Sequence, residues 1–112
     1  MALKRCLLEM GIGTDLHGRD YTKAAIRAVK DIMGRNSLSF PRAVGQDPDE
    51  MHVKVLIGVP CPDQVDRQRV LAVLPYGLKE IEVSIGGMDI PNEDATDSTV
   101  IANAAVIVSL DL

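Results

Sequence analysis

The chain has few aromatic residues, few cysteines and no excess of basic charge. Its 112 residues include one phenylalanine, two tyrosines, no tryptophan and two cysteines, and the net charge is −4. Nucleic-acid binding uses basic patches and aromatic stacking platforms, so this composition argues against a nucleic-acid partner. Two cysteines are too few for a disulfide framework, and we expect Cys6 and Cys61 to be reduced thiols in a cytoplasmic protein.

Long apolar runs are also missing. Glu9 interrupts the N-terminal apolar segment before it reaches the length of a signal-peptide core, and no stretch approaches the roughly 20 apolar residues of a membrane span. We therefore expect neither export nor membrane association. A hydrophobic content of 46% with 25% charged residues is typical of a globular chain, and the length predicts a single domain over residues 1–112.

Hydrophobic periodicity predicts six elements. Apolar alternation predicts strands and apolar spacing at three and four residues predicts helices, the first of which Asp20 can cap. The predicted strands cover residues 6–12, 52–59, 81–85 and 100–112, and the predicted helices cover 21–33 and 63–74. The order β-α-β-α-β-β favours an α+β two-layer sandwich, with a mixed or antiparallel four-stranded sheet and both helices on one face.

This element order resembles the Bacillus chorismate-mutase-like fold. Small proteins with that fold assemble as rings of three, so the resemblance implies a trimer. A ferredoxin-like fold is the alternative, although it requires the order β-α-β-β-α-β.

A glycine-rich segment at the end of the first strand is the most informative feature. It reads Gly11-Ile12-Gly13-Thr14-Asp15-Leu16-His17-Gly18. Glycines let a backbone approach a ligand closely, and an aspartate two residues before a histidine can share a proton with it. We therefore predict Asp15 and His17 as catalytic residues, with Gly11, Gly13, Thr14 and Gly18 as ligand contacts. The alternative is a loop that Asp15 and His17 merely stabilise through local hydrogen bonds.

The same segment resembles the G-x-G-x-D-x-H-G signature of a family of short, uncharacterised proteins found in bacteria and, with a longer prefix, in plants. The five matching positions are Gly11, Gly13, Asp15, His17 and Gly18. The similarity extends to residues 44–48 and 100–105. The family has no assigned activity, so the resemblance implies no substrate.

Cofactor chemistry stays open at this stage. Asp15, His17, Glu9 and His52 offer mixed oxygen and nitrogen ligands suited to Zn, Mn or Fe, but their spacing fixes no geometry, so the metal and the cofactor are unknown. The glycine pattern lacks the third glycine and the downstream acidic residue of a dinucleotide-binding fingerprint, which excludes NAD.

Ser84-Ile85-Gly86-Gly87 is a second candidate ligand-binding segment, in which Ser84, Gly86 and Gly87 would contact the ligand. It resembles the Ser-Gly-Gly segments of ring-opening amidohydrolases, which pair the serine with a lysine. The lysine here would be Lys4 or Lys54. The alternative is a strand serine followed by an ordinary glycine turn.

The predicted sheet face away from the helices is half apolar, which is typical of a subunit contact and predicts a homo-oligomer, most simply a trimer. Its predicted residues are Leu7, Leu56, Ala105 and Ile107 among Glu9, Lys54, Glu82, Ser84 and Ser109.

Two function classes are compatible with these features. One is a small oligomeric enzyme that acts on a polar or anionic metabolite at a subunit-interface site built on the Gly11–Gly18 loop. The other is a non-catalytic small-molecule-binding or regulatory protein that uses the same loop.

Overall fold

The computed structural model describes residues 2–36, 38 and 40–112 and shows an α+β fold with one mixed sheet and two helices. The strands are β1 (Leu3–Asp15), β2 (His52–Val59), β3 (Leu78–Ile85), β4 (Met88–Pro91) and β5 (Ser98–Asp111). The helices are α1 (Tyr21–Arg35) and α2 (Arg67–Leu71). The predicted two-layer fold class is therefore confirmed. Within the described residues, neither helix is long and apolar enough to cross a membrane.

The sheet has the strand order β1-β5-β2-β3. Strands β1 and β2 are antiparallel to β5, and β2 is parallel to β3. Strands β1, β2 and β3 therefore run in one direction, and their C-terminal ends meet at one end of the sheet. The short β4 continues the β2 position along β5, with Met88 opposite Ile101. The sequence missed β4 because its four residues lie in a stretch rich in turn residues.

Helix α1 begins as predicted, since the Asp20 side chain accepts a hydrogen bond from the Lys23 backbone N–H at 3.0 Å. It ends at Arg35, so Gly34 lies inside the last turn and not beyond the helix. Helix α2 is shorter than predicted. Asp66 caps it from the middle of the predicted span by accepting from the Arg69 N–H at 3.3 Å, and the preceding residues Pro62–Gln64 form a 3-10 turn.

The core lies between the helices and one face of the sheet. Strands β2 and β5 alternate strictly, with every second side chain buried against α1 or α2. The buried strand residues are Val53, Val55, Ile57, Val59, Val100, Ala102, Ala104, Val106, Val108 and Leu110. Small residues of α1, including Ala24, Ala25 and Ala28, let this helix approach the sheet closely.

The phase of β1 differs from the prediction. Leu7 packs against the core, and Gly11 and Gly13 face α1, so Leu7 and Glu9 belong to the helix-covered side. Leu8, Met10 and Ile12 lie on the other side, which we call the open face. Both alternating sets begin with a leucine, and glycine gives no hydrophobic signal, so the sequence pattern could not distinguish the two phases. The open face is consequently more apolar than predicted.

Candidate functional site

Gly11 and Gly13 lie within β1, and the predicted loop starts only after Asp15. A methyl group built on Gly13 would overlap the backbone of Ala24 and Ala28, and one built on Gly11 would overlap the backbone of Ala28. The helix-facing side of both glycines is thus filled by α1. Only their backbone on the open face is left for a ligand to approach.

The Asp15 carboxylate joins the end of β1 to the start of α1. Its side chain is 2% exposed and accepts a hydrogen bond from the Asp20 N–H at 3.0 Å. Lys23 Nζ and Arg27 Nη1 lie 3.6 and 3.8 Å from Asp15 Oδ1. This arrangement satisfies a buried charge with a backbone donor and two cations. Through these contacts Asp15 anchors the end of β1 to the start of α1.

His17 does not pair with Asp15 as predicted, because the His17 ring lies beside Asp97 and the Asp15 carboxylate is buried beside the two cations. The His17 ring is 89% exposed, and its Nδ1 lies 3.6 Å from Asp97 Oδ2. The Asp97 carboxylate also accepts from the Ser98 N–H at 2.8 Å and from the Gly18 N–H at 3.1 Å. These two backbone donors, with smaller contributions from His17 and Arg19, lower the pKa of Asp97.

The loop between β1 and α1 turns sharply at Gly18 and Arg19, whose φ angles are +91° and +51°. A positive φ is easy for glycine and unfavourable for arginine, so the surrounding contacts must hold it. Arg19 Nε donates to Ser98 Oγ at 3.3 Å, and Asp97 holds the Gly18 N–H. The start of β5 therefore fixes the conformation of the loop that carries His17.

A cleft of about 200 Å³ lies beside His17, between this loop and the β4–β5 hairpin. Its walls include Leu16, Ile90 and Pro91, and its polar side chains include His17, Asn92 and Asp97. We call it the His17 cleft. Asp97 was not predicted as a site residue, because only the pairing of β1 with β5 brings it to His17.

A second cavity, about 270 Å³ in volume, opens on the open face, and we call it the sheet-face pocket. Its lining comprises Met10, Gly11, Leu56, Ile57, Gly58, Ser84, Asn103, Ala104 and Ala105. Gly11 and Ser84 come from the two segments that the sequence singled out separately. The structure brings both to one pocket, whereas it places Gly13 under α1 and the Thr14 carbonyl on Arg27 Nη1 at 2.7 Å.

Gly86 and Gly87 form the crossover from β3 to β4 that closes one end of this pocket. The Gly86 N–H donates to the Val59 carbonyl, and the Gly87 N–H donates to Asn103 Oδ1, both at 3.0 Å. Gly87 has a φ of +59°, and a methyl group on it would overlap the Ile101 carbonyl. The crossover passes so close to Gly58 that a methyl group on Gly58 or Gly86 would be in tight contact with the other backbone. The backbone conformation and the close packing of the crossover therefore account for these glycines before any ligand is considered.

The residues predicted as an alternative metal set are not brought together. Glu9 lies on the helix-covered side of β1, and His52 lies at the far end of β2 from His17. No group of three or more His, Cys, Asp or Glu that could hold a metal ion occurs in the part of the chain that the structure describes. In the described contacts Ser84 is paired with neither proposed lysine, since Lys54 Nζ lies 3.2 Å from Glu82 Oε1 and Lys4 is near the opposite end of β1.

Tyr21 ties β4 to the start of α1. Its side chain is buried, and its hydroxyl donates to Asp89 Oδ2 at 3.0 Å. The contact with the Cys61 side chain, burial and the Asp89 carboxylate all raise the pKa of Tyr21. This phenol is therefore a fixed neutral hydrogen-bond donor that positions the hairpin beside the His17 cleft.

Comparison with known proteins supplies a family but no activity. The family model described as "Conserved hypothetical protein (Lin0512_fam)" matches residues 5–108, and the chain therefore belongs to this family. Among solved structures, it is similar to an FtsZ-like protein of unknown function from Nostoc punctiforme. The two are 41% identical with a TM-score of 0.89, and the alignment covers 100% of this chain and 99% of that one. No curated protein matches.

Proposed function

We propose that this member of the family is a homo-oligomer, most simply a trimer, that binds a small molecule in the sheet-face pocket, where copies meet. The observation that carries the proposal is the position of the pocket in the middle of the open face. Open faces rich in apolar side chains are typical of subunit contacts, and ligand sites occur preferentially at interfaces.

The open face is apolar over much of its length. In β1, Leu8, Met10 and Ile12 are 50%, 69% and 55% exposed. Register places these three beside Ile107, Ala105 and Asn103 of β5. Leu56 and Met88 extend the apolar surface on the other side of β5. A soluble monomer seldom exposes so many large aliphatic side chains on one face, so a covering partner is favoured.

Helix α1 closes the free edge of β1 to pairing with another strand. Asp31 Oδ2 accepts from the Ile12 N–H at 3.0 Å, Arg27 Nη1 donates to the Thr14 carbonyl at 2.7 Å, and Arg35 donates to the Met10 carbonyl. We call these three helix side chains the edge clamp. The Ile12 N–H and the Arg35 guanidinium lower the pKa of Asp31, which keeps the carboxylate charged. Edge strands covered in this way do not recruit strands from other molecules.

The opposite edge strand of the sheet is β3, which carries the exposed acidic residues Glu80 and Glu82. Two β3 strands paired edge to edge would bring these carboxylates close together, which is destabilising. With both edges disfavoured, the open face is the surface that supports assembly best.

Ile107→Lys tests the assembly. Ile107 lies on the open face between Leu8 and Lys54, and a buried lysine there would oppose contact between copies. By light scattering, we expect the wild-type chain to have the mass of several chains and the variant to have a lower mass. Gln68→Lys adds the same charge on α2, away from the open face, and should leave the mass unchanged. A wild-type monomer at micromolar concentration contradicts the proposal.

A second candidate function is acid–base chemistry on a polar or anionic metabolite in the His17 cleft. The specific observation is the exposed His17 ring beside the cleft, whose Nδ1 lies 3.6 Å from the Asp97 carboxylate. A histidine oriented in this way can accept or donate a proton at its other nitrogen. Asp97 thus replaces Asp15 as the carboxylate partner in this proposal.

Native mass spectrometry with elemental analysis of freshly purified protein tests this second candidate. His17→Ala should lose a copurified ligand or metal while the free energy of unfolding changes by less than about 0.5 kcal/mol, as is usual for an exposed side chain. His52→Ala is the matched control and should retain the bound species. Equal ligand content in wild type and His17→Ala contradicts a role for the cleft.

A further inference from the structure

The lining of the sheet-face pocket also indicates the class of its ligand. We infer that the ligand is an uncharged, flat molecule that carries carbonyl and amide groups, such as a cyclic imide or cyclic amide. This inference rests on the proposed ligand site in the same pocket, and it departs from the anionic metabolite that the sequence suggested.

Among the described residues, no charged side chain lines the pocket. The charged residues beside it in the sheet, Lys54 and Glu82, form an ion pair at 3.2 Å and so neutralise each other. A carboxylate or phosphate that entered the pocket would lose hydration without gaining a cation, which is costly. An uncharged ligand avoids this cost, and the walls of Met10 and Leu56 favour it further.

The shape of the pocket favours a flat ring. The floor is the pleated sheet at Ala105, which has only a methyl group, and the Gly86–Gly87 crossover lies over Gly58 at one end. Met10 and Leu56 rise on the sides, and the volume is about 270 Å³. Apolar walls with a few placed polar groups are the usual form of a small-molecule site.

Two polar side chains line the pocket at the end that the crossover closes. Asn103 is in register with Gly58, and Gly58 is in register with Ser84, so the glycine separates the two side chains in the sheet. Asn103 Oδ1 already accepts from the Gly87 N–H. The Asn103 NH₂ group is therefore the end that can donate to a carbonyl oxygen, while the Ser84 hydroxyl can donate or accept. An imide, with two carbonyls flanking an N–H, matches this set.

The experiment compares succinimide with succinate, which have the same carbon skeleton and differ in charge. Each is titrated into ¹⁵N-labelled protein, and the amide signals of Gly58 and Ala105 and the side-chain NH₂ of Asn103 are followed by NMR. We expect saturable shifts with succinimide and at least about tenfold weaker binding of succinate.

Asn103→Asp is the decisive variant, because it keeps an acceptor for the Gly87 N–H, removes the NH₂ donor and adds a charge. It should weaken succinimide binding at least about tenfold. Asn92→Asp makes the same change outside the pocket and should have no effect. Ser84→Ala should weaken binding by a smaller factor.

Each outcome has a separate meaning. Saturable binding of succinate equal to or tighter than that of succinimide overturns the inferred ligand class and leaves the ligand site standing. If neither compound shifts the pocket signals, the proposed ligand site itself is wrong. If neither compound binds and the Ile107→Lys substitution alone shifts the amide signals of the pocket residues, a side chain of a second copy fills the pocket. That result overturns both the inferred ligand class and the proposed ligand site.

Discussion

The two sides of β1 reverse the usual distribution of residue size in a sheet. The covered side carries Gly11 and Gly13, and the exposed side carries Met10 and Ile12. The covered side is bare because α1 packs directly on the strand backbone, with Ala24 and Ala28 at the contact. Large side chains on the exposed side are unfavourable for a monomer and favourable for an assembly. One strand thus packs against the core through its backbone and leaves its large side chains available for the proposed contact between copies.

Gly13→Ala should have the largest effect. The added methyl group would overlap backbone atoms of Ala24 and Ala28, which cannot move without shifting α1. We expect a loss of at least about 3 kcal/mol in the free energy of unfolding, measured by denaturant titration, at the upper end of the range for overpacking.

Gly34→Ala is the matched control for Gly13→Ala. Gly34 lies in the last turn of α1 with nothing near the position of an added methyl group. Because alanine is the better helix former, the substitution should stabilise the protein by up to about 1 kcal/mol. Similar destabilisation by both substitutions would show that α1 does not pack on Gly13.

Asp15→Ala removes a buried carboxylate on the helix-covered side of β1, at the end of the strand. It removes the acceptor of the Asp20 N–H and leaves Lys23 and Arg27 without their shared carboxylate. We expect a loss of about 2 to 3 kcal/mol, since charged hydrogen bonds of buried groups are of this size. Asp63→Ala, at an exposed aspartate, should change stability little. If both variants unfold alike in urea, Asp15 is not an anchor.

Ile12→Ser tests the exposed side of the same strand. In the Ile107→Lys background, which we expect to be less assembled, the substitution should change the free energy of unfolding by less than about 0.5 kcal/mol. In the wild-type background it should lower the melting temperature and the assembled mass, because assembly stabilises the folded state. An equal effect in both backgrounds would mean that Ile12 contributes to the fold and not to a contact between copies.

Asp97→Asn should have the smallest effect, and this effect should disappear in acid. The backbone donors Ser98 and Gly18 lower the pKa of Asp97 in the folded state below the unfolded value of about 3.9. The carboxylate therefore stabilises the fold above that value, and this contribution is lost as the pH falls through the folded pKa. The stability difference between wild type and variant should shrink below about pH 3.9. A difference that grows with acidity would contradict the lowered pKa.

The sequence predicted best where one side of an element is buried along its whole length. Strand β2 has the predicted bounds, 52 to 59, because valine and isoleucine alternate there with less apolar residues. Asp20 was predicted as a cap because its partner, the Lys23 N–H, is three residues away. Both signals are local.

The rest depends on contacts between distant parts of the chain. Asp97 reaches His17 only because β5 pairs with β1, and no local pattern encodes that pairing. The glycines of β1 suggested a ligand-binding segment, but glycine is required at these positions because α1 packs closely on the strand backbone. That Gly11 and Ser84 would line one cavity followed from strand order, which the sequence did not determine. Their contact with a ligand stays a prediction.

The pairing of β1 with β5 also sets the order in which the molecule can fold. Leu3 pairs with Asp111 and Asp15 with Val100, so β1 has no neighbouring strand until β5 has been synthesised. Such non-local pairing is slow, typically taking milliseconds to seconds, because a long loop must close before any contact forms. During that interval α1, which follows β1 in the chain, is already available to pack on it. The Arg27, Asp31 and Arg35 side chains cover the edge of β1 that faces away from β5, so that only the edge that β5 will occupy stays open to pairing with another chain.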